Sequence, residues 1–294
     1  MRADARLALI ALSLSIASPK LHAQSQANGP VLGARRLAPN APLKIWLPAG
    51  ELRLIAWDRD SVVVRGRVIR PGNFFFGGDS TGMKFGVEQP GSGRGSGKGT
   101  LVAYIPRHSK VSVKTVSARI DGNGVAGWFY TVSGLVSLRG AATSLAVESM
   151  SGGVYVDAVT PWLRARTGDG ALTVRGIAQD VDAASIGGTL DIAATGMMRG
   201  QFASVTGDIH YVGSPAAGGI FEFTNHSGGV VLLLPPNAAG VFALSSIEGN
   251  IVNGFAPARP TGGVTRSMRI ALGRGTGAQV TVRTFKGPIS ILPQ

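Results

Sequence analysis

From about Val111 onward the sequence keeps returning to one pattern. Its anchors are Ala118, Gly134, Gly152, Gly170, Gly188, Gly207, Gly228, Gly249 and Gly287, spaced by 16, 18, 18, 18, 19, 21, 21 and 38 residues. Two residues after each anchor stand Ile120, Val136, Val154, Leu172, Leu190, Ile209, Val230, Ile251 and Ile289. Five before each stand Val113, Phe129, Val147, Ala165, Ala183, Phe202, Phe223, Leu244 and Val282. The positions between are mostly polar, among them Lys114, Glu148, Arg164, Arg166, Asp182, Gln201 and Glu222. This is period-two alternation on both sides of a glycine corner, the signature of half-buried strands.

One such coil cannot bury its apolar row. Stacked about 4.8 Å apart, the coils pair in parallel and set like residues in columns. The spacing therefore predicts an all-β fold: a parallel β-helix, or solenoid, over 111–294, with coils of about 18–21 residues. Nine or ten coils make a rod about 45 Å long. The corner glycines serve where φ is positive or where no Cβ fits. The 38-residue gap is read as two coils, one degenerate and carrying Ile270 and Leu272, and 264–294 as the last coil and its cover.

Upstream, 43–110 reads as a strand-rich N-terminal cap on the first coil. Leu43–Ile69 holds three strands, with turns at Pro48-Ala49-Gly50 and Trp57–Asp60. Residues 70–99 are Gly-rich and contain Phe74-Phe75-Phe76. They read as a long loop or a hairpin with a mobile tip. Residues 24–42 read as a linker.

The first 23 residues have the form of a signal peptide. Arg2 and Arg6 precede an apolar run from Leu7 to Ala17, and Leu21-His22-Ala23 offers a cleavage site. The run is too short to cross a bilayer, and no other stretch reaches about 18 apolar residues. The reading is an exported chain of the periplasm or cell surface, with no transmembrane segment. It has no Cys, so its stability comes from the core. Net charge is +13. The leader carries three basic residues and one acid, which leaves +11 for 24–294. That balance favours anionic neighbours such as glycans or lipopolysaccharide over a specific nucleic acid.

Three stretches resemble the bacterial putative-adhesin β-helix family. They are the head LKIWLPAG…LRLIAWDRDSVVVRGRV, the corners VSGLVSL, MSGGVYV and VTGDIHY, and the ending LGRGTGAQVTVRTFKGPISI. The resemblance covers roughly 43–292. It implies a β-helix fold and an exported or membrane-attached bacterial protein, and it carries over no catalytic residue.

Candidate chemistry is sparse. GSGRGSGKGT at 91–100 departs from a phosphate loop, because Ser92 stands where Gly is needed and Gly99 follows Lys98. His210 and His226 can approach on neighbouring coils, but two histidines without a third ligand make no zinc site. Asp169, Asp208 and Asn250 sit beside corners, where such residues bond their own backbone. Asp121 and Asp191 share a column four coils apart. No catalytic residue, metal ligand or cofactor is therefore assigned. The columns pair Arg164 with Asp182 and Glu148 with Arg166 on adjacent coils. The remaining candidates for ligand contact are Arg164, Arg166, Trp128, Tyr130 and Trp162. The aromatics either stack on a ligand or lie under the 70–99 segment, with Phe74-Phe75-Phe76 on Trp128. The function expected is an exported, non-enzymatic binding scaffold or adhesin for an anionic glycan, lipopolysaccharide or another envelope protein. A carbohydrate-active enzyme and a purely structural envelope component are the alternatives.

Overall fold

The computed structural model describes residues 29–88, 97–255, 266–273 and 277–294. The signal-peptide reading and most of the 91–100 loop fall outside them. Every regular element among the described residues is a β-strand, and all join one 24-stranded sheet. No helix there is long and apolar enough to cross a membrane.

Most pairing is parallel and forms two ladders. The first runs β6 (Gly82–Glu88), β2 (Pro42–Leu47), β8 (Lys110–Thr115), β10 (Gly127–Thr131), β12 (Leu145–Ser149), the second half of β13 (Val154–Thr167), the second half of β14 (Leu172–Ser185), β16 (Arg199–Ser204), β18 (Ile220–Asn225), β23 (Ala278–Thr284) and β20 (Gly240–Ser246). The second runs β7 (Lys98–Pro106), β3 (Ala49–Trp57), β9 (Arg119–Asn123), β11 (Val136–Ala141), the first halves of β13 and β14, β15 (Leu190–Thr195), β17 (Ile209–Val212), β19 (Val230–Leu234), β24 (Ile289–Pro293) and β21 (Ile251–Asn253). Each ladder thus has eleven rungs among the described residues. At about 4.8 Å per rung the stack is about 50 Å long.

The register sets like residues above one another. Val147, Ala165, Ala183, Phe202 and Phe223 are successive partners, and all are buried. The anchor glycines share a column for lack of room. A Cβ on Gly170 would stand 2.1 Å from the Gly152 carbonyl oxygen, and one on Gly188 would stand 2.1 Å from that of Gly170. Neither has positive φ; the backbone of one rung rests on the next, and close approach is what demands glycine.

Three features differ from the sequence reading. Residues 31–36 form β1 (Val31–Arg36) rather than a free linker, pairing antiparallel with β4 (Ser61–Ile69), which itself covers the outer edge of β7. Strands β2, β3, β6 and β7 are rungs that continue the ladders, because Leu43, Ile45, Leu52 and Leu54 carry the same inward alternation as the coils beyond. The tail is also not the last rung. β23 and β24 lie between β18–β19 and β20–β21, so the final coil in sequence is next to last in space. The segment with Ile270 and Leu272 is no coil but β22 (Ser267–Leu272), antiparallel on the outer edge of β20. Periodicity assigns residues to columns, and every rung offers the same columns, so it does not encode which rung neighbours which.

The 70–99 segment contains a hairpin of β5 (Asn73–Asp79) and β6. Phe74 and Phe76 pack on Phe85, at ring distances of 6.5 and 6.3 Å, and no ring contact joins them to Trp128. Pleating explains this: the hairpin folds Phe76 over Phe85 and against Gly33 of β1, on the core side.

Candidate functional site

Outward residues of the first ladder form one continuous face, and the registers place all five sequence candidates on it. Trp162, Arg164 and Arg166 alternate outward along β13, while Trp128 and Tyr130 alternate outward along β10. One file of partners runs Gly86, Trp46, Lys114, Tyr130, Glu148 and Arg166. Beside it runs Lys84, Lys44, Ser112, Trp128, Ala146, Arg164 and Asp182.

The face has two chemically distinct ends. Toward the sixth and seventh rungs the charges are paired. Arg164 donates Nε to Asp182 at 3.1 Å, and Arg166 reaches the same carboxylate at 3.0 Å. The pairing expected between Glu148 and Arg166 does not form, although the two are register partners. Asp182 lies one rung beyond Arg164, within reach of both guanidinium groups, and binds both. Glu148 instead accepts from Trp128 Nε1 at 3.4 Å. Exposed pairs of this kind contribute about 0–1 kcal/mol each.

Toward the first rungs three lysines stand without an ion pair, with Glu88 outward at the end of β6. Lys84 and Lys44 are direct partners on rungs one and two, and Lys114 follows on rung three. No carboxylate among the described residues is bonded to any of them. Like charges directly opposite one another destabilise a sheet. Aromatic rings interleave these lysines. Trp128 and Tyr130 stack at 5.8 Å with 24° between their planes, and Lys114 Nζ lies 5.3 Å from the Trp128 ring centre. Trp46 is 37% exposed and Trp162 39%. Phe75 adds a further ring: a Cβ on Gly86 would stand 3.0 Å from its Cζ, which puts Phe75 on the outer side of β6.

The sequence reading missed Phe75, Lys84, Lys44, Trp46 and Lys114. Extending the columns upstream aligns Lys44 and Trp46 with Ser112 and Lys114, a signal present in LKIWL against VSVKT. Lys84 carries no such signal, because it sits on β6, which enters the ladder as the second arm of the β5–β6 hairpin rather than at a repeat spacing.

Elsewhere the ionisable groups are engaged singly. His210 Nδ1 lies 2.9 Å from Asp191 Oδ1, and His226 stacks on Phe285 at 4.9 Å, so the two histidines do not meet. Asp121 pairs with Arg119 at 2.9 Å. The Asp58 carboxyl is held below its ordinary range by hydrogen bonding to Arg107 and by its charge. No group of three or more His, Cys, Asp or Glu among the described residues is placed to hold a metal ion.

No protein-family model matches the chain, and no curated protein matches it. Solved structures do match at low identity. A putative adhesin from Parabacteroides merdae is 11% identical, with a TM-score of 0.47, over 90% of this chain and 97% of that one. A putative adhesin from Parabacteroides distasonis is 11% identical, with a TM-score of 0.47, over 90% and 98%. A putative adhesin from Bacteroides fragilis is 12% identical, with a TM-score of 0.41, over 88% and 96%.

Proposed function

We propose that the chain is an exported, non-enzymatic binding scaffold: a parallel β-solenoid that holds a linear anionic glycan along its first ladder, in the periplasm or at the cell surface. The observation that carries this reading is the run of Lys84, Lys44 and Lys114 on three successive rungs, interleaved with Trp46, Trp128 and Tyr130. The lysines repel one another without a ligand, and a polyanion relieves that cost. The rings offer flat apolar faces with polar edges, suited to sugar rings. Parallel pairing at a constant register supports the solenoid, since it repeats the same outward positions along a straight axis. Outward carboxylates bonded to basic groups, as at Asp58, Asp121, Asp182, Asp191 and Glu222, favour binding over glycoside cleavage, which needs two carboxyls facing one bond.

The test is retention of the purified chain on immobilised acidic and neutral polysaccharides and on lipopolysaccharide, at low and physiological salt. The expected result is retention on an acidic polymer that survives physiological salt and falls at least tenfold in Lys114→Ala and Trp128→Ala. Equal retention on neutral polymers, or loss of all retention at physiological salt, overturns it.

A further inference from the structure

The basic end of the first ladder has a fixed spacing. Down the axis one outward file reads Lys84, Lys44, Ser112 and Trp128, each the register partner of the next. On the third rung a fourth lysine, Lys110, stands outward with Lys114 on either side of Ser112, each two residues along β8 and about 7 Å away. None of the four lysines is in an ion pair among the described residues. The file therefore offers one cationic position per rung for three rungs, at steps of about 4.8 Å, and an aromatic ring on the fourth. Beside it runs a file of rings: Phe75 over Gly86, Trp46 next to Lys44, and Tyr130 next to Trp128. The tract ends there. The fifth rung carries Ala146 and Glu148, and Glu148 is held by Trp128 Nε1 at 3.4 Å. On the sixth, Arg164 and Arg166 are taken up by Asp182. Glu88, the acid on the first rung, lies four residues along β6 from Lys84, about 13 Å off the file.

We infer that the ligand carries an acidic group on every sugar, and that four sugars lie along the axis, three over the lysine file and the fourth over Trp128. This rests on glycan binding at the same face and adds the glycan's charge pattern. An extended chain of six-membered sugar rings advances by close to one rung per sugar, so a homopolymer of uronic acids sets its carboxylates at the spacing of the file. A chain that alternates acidic and neutral sugars sets them two rungs apart. It then leaves either Lys44 or both its neighbours without an anion, and the repulsion between adjacent rungs is only partly relieved. The residue type fits the same ligand. An ammonium is a compact point charge on a flexible stem and takes one carboxylate at a time, whereas a guanidinium suits planar, paired contacts. The two files divide the work: Trp46 and Tyr130 take sugar faces on one, while the acids lie on the other.

Titration calorimetry of the purified chain at physiological salt tests this, with two series of probes. One is oligogalacturonate of two to eight sugars, which has a carboxylate on each. The other is hyaluronan oligomers matched in number of carboxylates, in which acidic and neutral sugars alternate. The expected affinity for oligogalacturonate climbs with each sugar up to four, then levels, and is at least tenfold that for the matched hyaluronan oligomer. Lys44→Ala should cut it at least fivefold and remove most of the preference. Arg283→Ala, on the tenth rung of the same face, should change neither. Both side chains are exposed, so neither substitution disturbs the core. Equal affinity for carboxylate-matched oligomers, a climb that continues past four sugars, or an equal loss in Arg283→Ala overturns the charge pattern and leaves glycan binding standing. Failure of both series to bind overturns glycan binding itself, and the charge pattern with it.

Discussion

Tyr211 is fully buried, with Phe202, Phe221 and Phe223 at ring distances of 6.3, 6.0 and 5.6 Å. Its hydroxyl has no hydrogen-bond partner among the described residues. Burial therefore pushes its pKa above the ordinary value. Tyr211→Phe should fold at equal stability or gain up to about 1 kcal/mol by urea unfolding, since only an unpaired hydroxyl is lost. The pH dependence has a definite sign. Above about pH 10 the unfolded chain releases the tyrosine proton while the folded chain keeps it, so wild-type stability falls as pH rises. That part of the alkaline loss should vanish in the Phe variant. Glycines separate just as sharply. Gly170→Ala forces a Cβ against backbone 2.1 Å away, whereas the nearest atom at Gly77 is the flexible end of Lys84, 3.9 Å away. Expected costs are about 3 kcal/mol at Gly170 and under about 0.5 kcal/mol at Gly77, read from denaturant midpoints. The anchor glycines were legible because they recur beside invariant apolar positions. Close approach as their reason was not, since spacing alone does not separate it from positive φ.

Each corner is an element in its own right, with a second signal in the sequence. Three before the anchors stand Thr115, Thr131, Ser149, Thr167, Ser185, Ser204, Asn225, Ser246 and Thr284, all buried. Thr131 Oγ1 accepts from Gly134 N at 2.9 Å, and Ser246 Oγ accepts from Gly249 N at 2.9 Å. Asn225 does more: Oδ1 accepts from Gly228 N at 3.1 Å, while Nδ2 donates to Gly207 O at 2.8 Å and Gly229 O at 3.2 Å. Asn225→Ala should therefore cost about 2–3 kcal/mol in thermal unfolding, because buried groups on two rungs lose partners. Ser204→Ala should be near neutral, as its hydroxyl has none. The motif was visible but unread, because an inward polar residue runs against the apolar alternation that identified the strands. The candidate face divides likewise. Trp128, Tyr130, Trp162, Arg164 and Arg166 follow from their columns within the regular coils. Lys84 and Phe75 reach the face through a hairpin that no period announces.

At the scale of the whole molecule the two ends share one device. The chain enters on the second rung, goes outward to the first and then inward to the third. At the other end it passes from the ninth rung to the eleventh and returns to fill the tenth. Antiparallel strands then cover outer edges: β4 on β7, β5 on β6 and β22 on β20. Open strand edges recruit other chains, and this arrangement closes most of them. It also locks the C-terminus. β23 and β24 have partners on both sides, whereas β21, among the described residues, pairs with β24 alone. In a stack wound in sequence order the last coil frays first. Here amide hydrogen exchange should find residues 280–291 protected at least as strongly as 220–232, and more strongly than 251–253. Fast exchange at 280–291 would mean that the final coil sits on the outside. The physical ground is that opening β23–β24 breaks two ladders of hydrogen bonds on each side, while opening β21 breaks one.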